Sequence, residues 1–251
     1  LLRVFFSSSS RVWAANAPGY TAMRAQPLQA LWSEPTDIAE IHSMAMEQFA
    51  YPYVELFFGE KAELYRRQHL QEALTFVPFG VAVDEFQHIV YEQPSLTPAR
   101  RTEIWRELEK KYMPWRDYGE ESEFFSRGGW WYHKLHIFHY PFYYINYTLT
   151  TMGALEFKKK QAENPAECWK DYLKLCQIGG SLGYRDALKA ARLAIPFEKG
   201  GVKRAVEYAV DILKKQILRI LLEGKSAGDV LSYMDKVGIH FTGPLFYVIS
   251  I

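Results

Sequence analysis

From Thr21 onward the chain carries an almost unbroken helical pattern, and that pattern most limits what it can fold into. Apolar residues recur at three- and four-residue intervals, and strand-like alternation is nearly absent. Asp37 to Phe58 reads as the first strong helix. Thr36 or Asp37 can cap it, Asp37 and Glu40 suit the positive end of its dipole, and Gly59 follows its last turn. Glu60 to Tyr91 reads as one or two helices broken near Pro78-Phe79-Gly80. Thr97-Pro98 opens a helix that stops before Pro114, and Asn164-Pro165 repeats that start ahead of Gly179-Gly180. After Pro141 helical character resumes to about Lys160. Asp186 to Ala194, Lys199 to Glu223 and Ser226 to Val237 complete the set, while Ile239 to Ile251 shows no pattern. The predicted class is all-α and multi-helical.

Composition removes several function classes. A length of 251 residues allows a sizeable core. With 30 Lys+Arg against 29 Asp+Glu, the net charge is +1. Such a balance removes the electrostatic basis for a nucleic-acid or anionic-membrane partner. No apolar run reaches the roughly 18 residues of a membrane span, and the first residues lack the layout of a signal peptide. Cys168 and Cys176 exclude a disulfide framework and a cysteine metal knuckle. They read as small buried hydrophobes in a reducing compartment, hence a cytoplasmic expectation. Aromatic residues, at 16%, are the outlier, and surplus Tyr marks either a packed core or a ring-lined cleft. Oligomeric state stays open.

Two constellations carry chemistry. On the first helix Glu40 and Glu47 are two turns apart and share a face with Ser43 and Met44. One such carboxylate can ligate a metal while the other orients a ligand histidine; equally, both can be surface acids. The second runs from Gly128 to Tyr147 and holds three histidines, five tyrosines and two tryptophans. A histidine and two Tyr hydroxyls converging there would form a neutral donor set for a tetrahedral oxyanion. Gly128 and Gly129 would let the preceding loop adjust around a substrate. Two other readings stand beside this one. His133, His136 and His139 could bind a metal by themselves, although on one helix they drift about 60° per step. The segment could also be plain aromatic core.

Glu40 to Glu47, Ala82 to His88 and Trp130 to Tyr147, with Ile195-Pro196-Phe197-Glu198-Lys199-Gly200, occur in an order that resembles oligoendopeptidase F, among the thimet-oligopeptidase-like zinc metallopeptidases. The similarity runs from about Tyr20 to about Leu213 and covers the catalytic C-terminal part. It implies an all-α, zincin-type fold with a channel that admits short peptides. In that family HExxH supplies two zinc ligands and the general base. Glu40 matches the third ligand and Glu47 the acid behind a ligand histidine. His136, Tyr144 and Tyr147 match the groups that bind substrate and stabilise the oxyanion. His133, Trp131 and Tyr143 match substrate-binding positions.

HExxH itself is absent. The family places it roughly two dozen residues before the third ligand, which here is Ser10-Arg11-Val12-Trp13-Ala14. Residues 1–20 also differ in composition, with a four-serine run and no acidic residue. The expectation is that residues 1 to about 14 derive from a shifted frame or a faulty gene start. Residues 21–213 would form a peptidase-like fragment, inactive as it stands, with 214–251 as an extension. The competing expectation is a catalytically dead helical module that binds peptides or partners.

Overall fold

A computed structural model describes residues 36–119 and 122–222, with side chains through residue 216. The atypical segment 1–20 and the helix expected over Ser226 to Val237 lie outside these residues. The described chain is helical, and no strand occurs within it. In order, α1 spans Thr36–Phe49, α2 Glu55–Phe58, α3 Ala62–Glu92, α4 Pro98–Tyr112 and α5 Glu123–Ser126. Then come α6 Leu135–His139, α7 Ile145–Glu163, α8 Pro165–Ile178, α9 Tyr184–Ala190 and α10 Gly201–Leu222. Short 3-10 turns occupy Tyr51–Tyr53, Gly59–Lys61, Gly129–His133 and Gly179–Ser181.

The caps act as their chemistry predicts. Thr97 accepts the Arg100 amide at 3.2 Å, and Asn164 accepts the Glu167 amide at 3.2 Å. Two expectations need correction. The first helix ends at Phe49 rather than Phe58, because Pro52 has no amide to donate and its ring would meet the Gln48 carbonyl. Conversely, α3 continues through Pro78 without a break. A proline inside a helix costs about 3 kcal/mol. Beyond it Phe79, Ala82, Val83, Phe86 and Val90 are all buried, and each large side chain returns about 1.5–3 kcal/mol. Gly80 is not a breaker here. A Cβ on it would lie 1.8 Å from Thr148 Oγ1, so glycine lets Thr148 pack directly on the α3 backbone.

The chain divides into two compact units. Among the described residues, the first comprises 36–70 and 149–209. Its core sets Ile38, Ile41 and Ala45 of α1 with Leu155 and Phe157 of α7, Tyr172 and Leu175 of α8, and Leu188 of α9, all buried. His42 is sealed in this core. Its ring meets Tyr172 edge-on at 5.7 Å, its Nδ1 lies 3.6 Å from Cys176 Sγ, and burial lowers its pKa to about 4. The Thr150 and Thr151 hydroxyls both donate to Met44 Sδ at 3.5 Å and pin α1.

Among the described residues, the second unit comprises 71–119, 122–148 and 210–222. Trp105 is fully buried and meets Phe79 and Phe86 edge-on at 6.2 and 5.5 Å. Trp131 and Ile137 close the same core. Much of the aromatic surplus is therefore packing.

Candidate active site

In the first unit, Glu40 and Glu47 stand two turns apart on α1. The Ser43 hydroxyl donates to the Glu40 carboxylate at 3.2 Å and to its carbonyl at 3.1 Å, which orients that side chain. Glu47 binds His69 Nε2 at 2.9 Å. His69 Nδ1 lies 2.7 Å from the Tyr51 hydroxyl. With Nε2 donating to Glu47, a neutral ring accepts the Tyr51 proton at Nδ1. The Arg66 guanidinium donates to the Tyr51 carbonyl at 3.0 Å, and the Lys158 ammonium lies 3.0 Å from the Tyr51 ring centroid. Burial lowers the Lys158 pKa to about 7, and Arg66 adds to that effect. Glu47 thus orients a histidine, but one supplied by α3. Nothing in sequence linked these two residues, which lie 22 positions apart on different helices.

In the second unit, the His- and Tyr-rich segment is not one helix. Gly128 turns the chain at φ 103°, a 3-10 turn carries Gly129–His133, Lys134 is extended, and α6 follows. His133, His136 and His139 consequently do not share an axis. His133 stacks on Trp130 at 5.9 Å and is solvent-exposed, whereas His139 contacts Tyr140. Their proposed joint metal site is not formed: among the described residues no three His, Cys, Asp or Glu side chains gather as a metal would require. A Cβ on Gly128 would sit 2.2 Å from the Thr102 carbonyl oxygen, so the loop is packed on α4.

His136, Tyr143, Tyr144 and Tyr147 do come together. The His136 ring centroid is 5.1 Å from Tyr144, 5.7 Å from Tyr147 and 6.3 Å from Tyr143. The two tyrosine rings Tyr144 and Tyr147 are 5.6 Å apart. Burial, then the Lys134 ammonium, hold His136 below its ordinary pKa, and burial pushes the Tyr144 phenol up. Near neutral pH the group is thus an uncharged imidazole beside a protonated phenol. Trp131 is only 5% exposed, wedged between Tyr132 at 3.9 Å and Phe138 at 5.6 Å, so its part here is packing. Phe142 adopts φ 63°, and its amide donates to Gln87 Oε1 at 2.8 Å. Gln87 is fully buried and holds the bend that presents Tyr143 and Tyr144. Neither Gln87 nor Lys134 stood out in sequence; a buried amide in the α3 stripe was the one available signal for Gln87.

Zinc would need three side-chain ligands that converge. Glu40 is an oriented carboxylate, and Glu47 is engaged by His69. The described residues therefore do not assemble a zinc site, and Ser10 to Ala14 lie outside them.

The chain matches peptidase family M3 over residues 20–207. No curated protein matches it significantly. Among solved structures it is similar to an oligoendopeptidase F, with 44% identity and a TM-score of 0.76, over 81% of this chain and 36% of that one. It is similar to PZ peptidase A with an inhibitor, at 41% identity and a TM-score of 0.75, over 83% and 38%. It is also similar to an oligoendopeptidase F from Bacillus anthracis str. Ames, at 36% identity and a TM-score of 0.66, over 83% and 35%. The chain spans little more than a third of the length of these proteins.

Proposed function

The chain belongs to peptidase family M3, and from that premise we propose that it is the catalytic C-terminal part of an oligoendopeptidase F-like zinc metalloendopeptidase acting on short peptides. The observation that carries this reading is the clustering of His136, Tyr144 and Tyr147 with ring centroids 5.1–5.7 Å apart. Protonated phenols and a neutral imidazole can donate to a developing oxyanion at no cost in buried charge. Tyr143, which packs on His136 and Tyr147, and His133, which stacks on Trp130, serve as substrate contacts. Glu40, held by Ser43, is the carboxylate that would serve a metal. Zinc is the metal the family uses, yet the described residues do not hold it unaided. As it stands the chain is inactive.

We take residues 21–213 as the peptidase-like region and 214–251 as an extension. Cys168 and Cys176 are buried and form no disulfide, and we take the setting to be reducing and cytoplasmic. No described helix is long and apolar enough to cross a membrane.

The test is to build Ser10→His, Arg11→Glu and Ala14→His together and to measure bound zinc and cleavage of a fluorogenic peptide. The unaltered chain should hold less than stoichiometric zinc, and the triple variant should gain one ion per chain. In an active restored form, Tyr147→Phe should lower kcat more than it raises KM, because a transition-state donor is lost. A triple variant that binds no more zinc than the parent would overturn the reading.

A further inference from the structure

A cleft of about 570 Å³ opens in the second unit beside Tyr144. Phe79, Trp130 and Tyr144 form its walls, and two cations, Lys134 and Arg116, reach into it. The Lys134 ammonium lies 4.8 Å from the Phe79 ring centroid, 4.9 Å from Trp130 and 5.2 Å from Tyr144. It donates to the Tyr144 hydroxyl at 3.3 Å. The Arg116 guanidinium carbon lies 4.5 Å from the same Trp130 ring and 5.5 Å from Phe79. Two like charges thus share the same pair of rings.

Their negative partners are weak. Among the described residues Lys134 forms no ion pair with a carboxylate, and the charge acting on it is Arg116, another cation. Arg116 reaches the buried Glu109 only at 3.5 Å, whereas Tyr118 and Arg106 donate to that carboxylate at 2.5 and 3.1 Å. Glu72 and Asp117 also line the cleft, but both are exposed, and solvent screens them. Ring faces offset part of the desolvation of two cations, and a bound anion would offset the rest. A carboxylate suits the space, since guanidinium and ammonium can bind its two oxygens separately.

We propose that this cleft binds a carboxylate of a peptide through Lys134 and Arg116, and that it thereby selects acidic ligands next to Tyr144. That the carboxylate belongs to a peptide rests on the peptidase reading; the charge geometry does not.

The experiment is a calorimetric titration of the intact chain with three hexapeptides. One is blocked at both ends with a single internal Asp, one has a free C-terminal carboxylate and no acidic side chain, and one is neutral and blocked at both ends. At least one carboxylate peptide should bind tenfold or more tighter than the neutral one. Whichever wins identifies the source as side chain or terminus. Lys134→Met should abolish the preference, and Lys134→Arg should retain most of it. Equal affinities, no binding of any peptide, or a preference that survives Lys134→Met would overturn the proposal. The comparison of peptides on the unaltered chain stands even if a variant misfolds. No hydrolysis is read, so a failure here is distinct from a failure of the zinc test.

Discussion

The two units hold their candidate groups by different means. In the first, Glu40 and Glu47 are set by short polar contacts: Ser43 to Glu40 at 3.2 Å, Glu47 to His69 at 2.9 Å and His69 to Tyr51 at 2.7 Å. In the second, His136, Tyr144 and Tyr147 are set by ring packing on one another and on Phe76 and Phe79. The difference follows from what each must hold. A carboxylate needs directional donors to fix its lone pairs. A phenol kept protonated is better served by apolar surroundings, which disfavour the phenolate. The second unit should therefore respond most to lost volume, and the first, with its buried titratable groups, to pH.

Deleting volume gives the largest expected effect. Trp105→Ala empties the centre of the second unit and should cost about 3–5 kcal/mol in urea unfolding. A cost below about 1 kcal/mol would mean that the rings do not organise that unit. The next effect is pH-dependent and belongs to the first unit. His42 is neutral when folded down to about pH 4, whereas its unfolded value is 6.5. The unfolded chain therefore takes up the proton first. The stability tied to neutral His42 is complete above pH 6.5 and is lost as pH falls toward 4, in total about 3 kcal/mol. His42→Gln should flatten this slope in unfolding curves taken between pH 7 and 4. An equal slope remaining would place the acid sensitivity elsewhere. The smallest effects compare single hydrogen bonds. Gln87→Leu strands the Phe142 amide and should cost about 1–3 kcal/mol. Glu47→Ala, at a half-buried pair, should cost about 1 kcal/mol. If the order reverses, the polar network is the firmer of the two.

Helix identity was legible because it rests on local chemistry. Thr97-Pro98 and Asn164-Pro165 state where α4 and α8 begin, and the apolar spacing states which face is buried. Membership of peptidase family M3 was legible for a similar reason, since its motifs are short runs in a set order. Pro78-Phe79-Gly80 misled because a local penalty was outweighed by burial contributed by residues far along the chain. The three-histidine metal site, already disfavoured by the drift of its spacing, is absent among the described residues for a further reason: the segment is a 3-10 turn, an extended Lys134 and a short helix, not one helix.

The sequence by itself determined the helical class, the caps and the residue types available at the candidate site, because these depend on neighbours within about four positions. Tertiary structure alone decided that Glu47 meets His69, that Gln87 holds the Phe142 bend, and that Lys134 and Arg116 share the Trp130 ring. Those pairings join residues on separate elements, and contacts of that kind arise only when apolar faces pack and bring distant polar groups within hydrogen-bonding range.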